Sequence, residues 1–363
     1  MSLSSPPAGD PVAAHRPVPG ARLRRRRLIG LGALAVLLVA AVVASLAIGT
    51  RSIAPGMVWD ALVHRYTAGS GVADQPLDDA AIIVQTLRLP RTVLATVVGA
   101  ALAVAGALMQ GHTRNPIADP GLLGITQGAA FAVVLTVYLG DLDHPIEYVW
   151  FAFLGAAVAA VTVFGLASVG AGGASPLTLV LAGTGVSVFL SAITSAVALS
   201  DQQTLDALRF WNAGAVAGRG YDVIASTAPF LLVGLVIALA NAPAINLLGL
   251  GEDVAKGLGL NVTRARVTGI VAVTVLAGAG TAACGSIAFL GLMAPHIARY
   301  ITGPDYRWLL PIAGLLGAIL LLVADVVGRV VARPGELQVG IVLALIGAPF
   351  FVALVWWRKA ARL

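Results

Sequence analysis

Ten stretches of this chain are long and apolar enough to be read as membrane spans, and no other feature narrows its fold so far. A helix crossing the hydrocarbon core of a bilayer needs about 20 predominantly apolar residues. The stretches are residues 28–48, 93–109, 122–139, 149–169, 177–199, 223–240, 267–283, 287–301, 308–327 and 339–357. The eighth is the weakest, because Gly285 and Gly291 break it and Pro295, His296 and Arg299 make its end polar. Of the 363 residues, 58% are hydrophobic and 11% charged, whereas a soluble domain carries about 25% charged residues to wet its surface. Mean hydropathy is +0.92. The solvent is therefore lipid. The expected fold is an all-α polytopic membrane protein of about ten transmembrane helices.

Cation placement sets the expected orientation, since Lys and Arg accumulate on cytoplasmic loops. Arg22 and Arg24 to Arg27 abut the first span and place the N-terminus inside. With ten spans the C-terminal Arg358, Lys359 and Arg362 also fall inside, together with Arg16, Arg114, Lys256, Arg264, Arg266, Arg299 and Arg307. Most acids then lie outside, among them Asp60, Asp74, Asp78, Asp79, Asp141, Asp143, Glu147, Asp201, Asp206 and Asp222. The first span is longer than a signal-peptide core and "AIGTRS" is a poor cleavage site, so it reads as a retained helix. Residues 1–27 form a basic tail whose first 21 residues have a disordered composition. Residues 28–363 form the permeating domain.

Two loops exceed simple connectors. The external stretch 50–85 contains "APGMVWDALVHRY", a short interfacial helix starting after Pro55. The internal stretch 241–266, "NAPAINLLGLGEDVAKGLGLNVTRAR", fits two short helices separated near Gly249 to Gly251 and reads as a docking platform.

Several chemistries are excluded by missing motifs. There is no GxxxxGK[ST] phosphate loop, no GxSxG, no HExxH and no CxxC. The single Cys284 rules out an internal disulfide and reads as a packing residue. His15, His64, His112, His144 and His296 are scattered over different loops, and His296 beside Pro295 reads as structural. Nothing calls for a cofactor or a metal. Intramembrane carboxylates, the usual proton relays of ion-coupled carriers, reduce to Asp325, placed to pair locally with Arg329 four residues on. Arg88 and Arg91 flank Pro90 where the chain enters the membrane. They read either as snorkelling cations or as a patch that forks acidic groups on a partner.

The segments "RLPRT", "GALMQGHTRNPIADPGLLG", "LAGTGVS", "FWNAGA", "LGLGEDVAKGLGL", "GSIAFLGLMAPHIARY", "GPDYRWLLP", "ADVVGR" and "GELQVGIVLALIGAPFF" run in order from Arg88 to Phe351. In these the chain resembles the FecCD family, the permease subunits of ABC importers for ferric siderophores, haem and cobalamin. The resemblance implies a cobalamin-importer-permease-like fold of ten helices with both termini cytoplasmic, sitting in the cytoplasmic membrane. It implies a dimer with an identical or paralogous second permease, two ABC ATPase subunits below and an extracytoplasmic substrate-binding protein above. Docking arginines map onto Arg88, Arg91 and Arg329, and ATPase-coupling positions onto Glu252, Ala255 and Gly259. The cytoplasmic gate maps onto Asn115, Ile117 and the loop before the fifth span. In that loop Pro176 stands in place of a small hydroxyl residue, and Ser175 is taken as its substitute. Ferric siderophores are the expected cargo, with haem or cobalamin as alternatives within the family. The rival class is an ion-coupled secondary carrier built from inverted repeats.

Overall fold

The computed structural model describes residues 19–50, 52–63, 79–140, 144–169 and 175–360. Its helices are α1 (Pro19–Ala47), α2 (Pro55–Val63), α3 (Asp79–Ile82), α4 (Leu89–Thr113), α5 (Ile125–Gly140), α6 (Pro145–Ser168) and α7 (Pro176–Ala198). They continue with α8 (Gln202–Ala213), α9 (Tyr221–Leu248), α10 (Glu252–Gly257), α11 (Val262–Cys284), α12 (Leu290–Thr302), α13 (Tyr306–Val331) and α14 (Val339–Ala360). Each of the ten apolar stretches coincides with one of these helices, and α2 starts at Pro55 as expected. Seven helical segments are long and apolar enough to cross a membrane, and Ile125–Gly140 and Val339–Leu354 are shorter apolar helices. The chain is an all-helical, multi-pass membrane protein. The weak eighth stretch becomes α12, whose 13 residues make only about 20 Å of helix.

Four features differ from the sequence expectations. First, α1 already begins at Pro19, so Arg22 to Arg27 belong to a helix rather than to the tail; residues 1–18 lie outside the described residues. Second, residues 241–248 are not a separate helix. They are the end of α9, which runs unbroken for 28 residues through Pro229 and Pro243, so the 241–266 stretch holds a single short helix, α10. Third, α8 has no counterpart among the expected elements. It is capped by Asp201, whose carboxylate accepts the Thr204 amide at 2.9 Å. Fourth, the second span is lengthened by α3 and a π-helical turn, Ile83–Arg88, that leads into α4. The expected acids Asp74, Asp78, Asp141 and Asp143 fall outside the described residues.

At the centre stands α4. Every residue from Ala101 to Thr113 is buried, the behaviour of a helix that is apolar all round. It packs on α13, α11, α12 and α9. Small residues permit this closeness, as expected where helices associate in lipid. A Cβ built on Gly106 would collide with the backbone of Gly291, and one on Gly99 would stand 2.6 Å from the Gly317 carbonyl oxygen. A second tight pair joins α5 to α6, where Gly128 and Gly155 each face the other's backbone.

Three breaks in the helices meet and are sewn together by main-chain atoms. Ala215 donates its amide to the Cys284 carbonyl at 2.7 Å, Ser286 to Trp211 at 3.1 Å and Gly340 to Gly214 at 3.1 Å. Gly285 (φ 76°) and Phe289 (φ 64°) turn the chain through the non-helical segment between α11 and α12. Cys284 is fully buried in this seam, the packing role its sequence context implied. His296 is buried too, edge-on to Tyr300 at 5.5 Å and to Phe350 at 6.1 Å, which fixes α12 against α14.

The two ends of the bundle differ. At one end Asp305 gathers three helices: it accepts Asn246 Nδ2 at 2.8 Å and the Arg307 amide at 3.1 Å, and it pairs with Arg27 at 3.5 Å. The start of α1, the end of α9 and the start of α13 therefore share this end with α10. The opposite end carries the arginines of the next section.

Candidate functional site

The last turn of α1 leaves backbone carbonyls without intrahelical partners, and two arginines from distant helices satisfy them. Arg88 Nη1 donates to the carbonyls of Leu46 and Ala47 at 2.7 and 2.9 Å. Arg329 Nη1 donates to those of Ser45 and Ile48, both at 2.9 Å. Gly49 makes room for this, because a Cβ there would lie 2.6 Å from Arg88 Nη2. Arg329 also reaches Ser45 Oγ at 3.0 Å and Asp325 at 2.9 Å through Nη2, and the Asp325 carbonyl at 3.5 Å through Nε. These bonds occupy all five donors of a guanidinium, and its side chain is 2% exposed. Placing cations at a helix C-terminus also suits the macrodipole.

Asp325 is held from both sides. Its expected (i, i+4) partner Arg329 is present, and Arg91 joins it with Nη2 at 2.6 Å and Nε at 2.9 Å. Arg91 Nη1 meanwhile meets Glu336 Oε2 at 2.7 Å. The order is thus Arg329, Asp325, Arg91, Glu336, alternating in sign. Arg88, Arg91, Arg329 and Glu336 line one cavity of about 460 Å³ together with Gly49, Thr50 and Arg219. The three arginines singled out in the sequence converge as one constellation. Glu336 was not singled out. Its only local signal is an acid beside the Pro334 turn, and its partner lies 245 residues away.

At the other end, Glu252 pairs with Arg266 and lies 3.9 Å from Arg114, so it ties α10 to α11 and to the end of α4. Ala255 is fully buried, in a small cluster with Leu248, Val262 and Ala265. Gly259 (φ 84°) turns the chain out of α10, with open space around it. What α10 and its flanks present outward is Leu250, Val254 and Leu258, each at least half exposed and four residues apart. This apolar stripe was not read from the sequence, because the glycines around it masked its spacing.

Asn115 and Ile117 share the turn after α4, where Asn115 Oδ1 accepts the Ile117 amide at 3.1 Å. Ser175 sits on another element, as the N-cap of α7 in a reciprocal box with Thr178. The same turn contains Asp119, which caps a 3-10 turn, Pro120–Leu123, by accepting the Gly121 amide at 2.8 Å. Desolvation of its carboxyl outweighs that bond and raises its pKa above the usual carboxylate range.

The profile of the FecCD transport family matches residues 37–357. The chain belongs to the FecCD transport family. Among its FecCD relatives, the Probable siderophore transport system permease protein YfiZ of Bacillus subtilis (strain 168) is 39% identical over 335 residues, covering 92% of this chain and 97% of that protein. The ferric enterobactin transport system permease protein FepD of Escherichia coli (strain K12) is 43% identical over 336 residues, covering 93% and 97%. A solved structure described as an inward-facing ABC transporter of metal-chelate type superposes with a TM-score of 0.76 at 30% identity, covering 90% of this chain and 98% of that one.

Proposed function

We propose that this FecCD-family chain is the membrane permease subunit of an ATP-driven importer, most economically for ferric siderophores. The observation that carries this reading is the family match over residues 37–357, and relatives named for siderophore and ferric enterobactin transport support the cargo. Haem or cobalamin are the alternatives within the same family. The chain lies in the cytoplasmic membrane with the α10 end inside, forms half of a path shared with a second permease subunit and takes its energy from separate ATPase subunits.

The two ends of the bundle support a division of labour. The cavity lined by Arg88, Arg91 and Arg329 receives carboxylates of an external binding protein, with Arg88 and Arg91 at its mouth and Arg329 holding its floor. The α10 loop is the ATPase-coupling element. Glu252 and the buried Ala255 fix its orientation, Gly259 shapes its exit, and Leu250, Val254 and Leu258 offer the apolar surface that a partner covers. Asn115, Ile117 and Ser175 border the path at that end as its gate.

An ion-coupled carrier is the second reading. It needs a carboxylate that gains and loses a proton within the membrane. Asp325 does not suit that task, because two arginines clamp it. The test is reconstitution: the chain alone neither hydrolyses ATP nor transports, and activity returns with ATPase and binding protein. The double variant R88E/R91E abolishes stimulation by the binding protein. Unchanged stimulation removes the docking assignment, and uptake by the chain alone on an ion gradient removes the importer reading.

A further inference from the structure

We propose that Trp211, Arg219 and Tyr148 form a separate pocket for a carboxylate-type oxyanion, beside the arginine cavity. A cavity of about 200 Å³ lies between α5, α6 and α8, walled by Tyr148, Gln203, Trp211 and Arg219 over a floor of Val133 and Val137. Its unsatisfied polar atoms share one sign. Among the described residues Trp211 Nε1 and Arg219 Nε are buried and have no hydrogen-bond partner. Trp211 itself is 3% exposed. An indole N–H and a guanidinium can only donate. Arg219 Nη1 donates to the Tyr148 hydroxyl at 2.7 Å, so that oxygen is already an acceptor and its proton is left to give.

The site is also charged. Arg219 lies 5.7 Å over the Tyr148 ring, and it makes no ion pair with an acid among the described residues. By contrast, Arg91 and Arg329 in the neighbouring cavity are matched by Asp325 and Glu336. Three donors around one unmatched cation exclude a metal ion. They also disfavour an apolar guest, which would leave buried donors unpaired at full desolvation cost. A planar, two-oxygen anion answers all of them, since a guanidinium forks a carboxylate. The volume equals about seven waters at roughly 30 Å³ each, ample for an acetate-sized group and too small for a bulky chelate. Trp211 is held at its post by the backbone bond from Ser286 at 3.1 Å, and its ring meets Tyr148 edge-on at 6.0 Å.

Arg219 lines both cavities, so the anion has two sources: an acidic side chain inserted by the external partner, or a free small carboxylate. The experiment measures thermal unfolding of the purified chain in detergent against rising sodium acetate, with variants as the control for ionic strength. Wild type gains a saturable rise of about 2–4 °C. R219Q loses it and W211F weakens it. A wild type without saturable response, or an equal response in both variants, overturns the proposal. Should R219Q fail to fold, Y148F takes its place and lowers acetate affinity without touching the charge. In the assembled transporter, an inserted acidic side chain predicts that R219Q weakens binding-protein affinity about tenfold and that acetate competes with docking. A free carboxylate predicts unchanged docking. Failure of R88E/R91E to affect docking refutes the docking assignment but leaves the acetate response untouched.

Discussion

Arg91 grips Asp325 with two donors, Nη2 at 2.6 Å and Nε at 2.9 Å, across 234 residues of sequence. Arg329 holds the same carboxylate from the other side at 2.9 Å, and Asp325 is 1% exposed. One acid thus balances two guanidinium groups and locks α4 to α13. Removing one partner of such a buried set leaves uncompensated charge, at about 3–5 kcal/mol. Asp325→Asn is therefore expected to destabilise the protein by that order, measured as a lowered denaturation midpoint in detergent. An unchanged midpoint refutes the keystone role.

Glu336 is the more exposed end of the same chain of charges, at 34%. Its carboxylate occupies Arg91 Nη1, the edge that faces the cavity. An ion pair this accessible contributes about 0.2–1 kcal/mol, so Glu336→Gln is expected to tighten docking of the binding protein by about two- to fivefold. Titration of the binding protein at low and high salt checks it, and weaker docking by E336Q counts against a competing role for Glu336.

Asp119 combines a capping bond with a desolvated carboxyl. Its folded pKa lies above the unfolded value, so its contribution to stability is complete below the unfolded pKa and is lost as pH rises through the folded pKa. Asn caps as well as Asp and carries no charge. Asp119→Asn is expected to match or exceed wild-type stability at neutral pH and to flatten the pH dependence. Asp119→Ala loses the cap, about 1 kcal/mol. Melting temperatures of the three proteins between pH 4 and 8 decide the matter, and a D119N as damaged as D119A contradicts it.

Two neighbouring positions on α10 separate surface from core. Val254 is 50% exposed and Ala255 is 0% exposed. Val254→Asp is expected to leave the fold intact while abolishing coupling to the ATPase, seen as lost stimulation in the reconstituted system. Ala255→Asp buries a charge and is expected to lower the yield of folded protein. If V254D retains full stimulation, the apolar stripe is not the partner's surface.

The bundle was legible because its signal is summed over twenty residues at a time. Apolar windows located all ten spans, even the broken one ending at His296. The shorter elements lacked that averaging. α8 is polar and amphipathic, so only Asp201 announced its start. The end of α9 carries Pro243 among small residues, which read as loop, yet packing against α11 carries the helix through. At the arginine cluster, spacing of four revealed Asp325 and Arg329. No local pattern encodes Arg91 with Glu336 or Arg219 with Tyr148, since helix packing alone makes them neighbours. The role of Arg88 and Arg329 as caps for α1 was hidden for the same reason.

The seam at Trp211, Ala215, Cys284, Ser286 and Gly340 is sewn entirely by main-chain groups. A joint of that kind is blind to side-chain chemistry. The faces of α7 and α14 can therefore be rewritten for a different cargo while the skeleton keeps its shape, which makes the scaffold portable: one frame, many passengers.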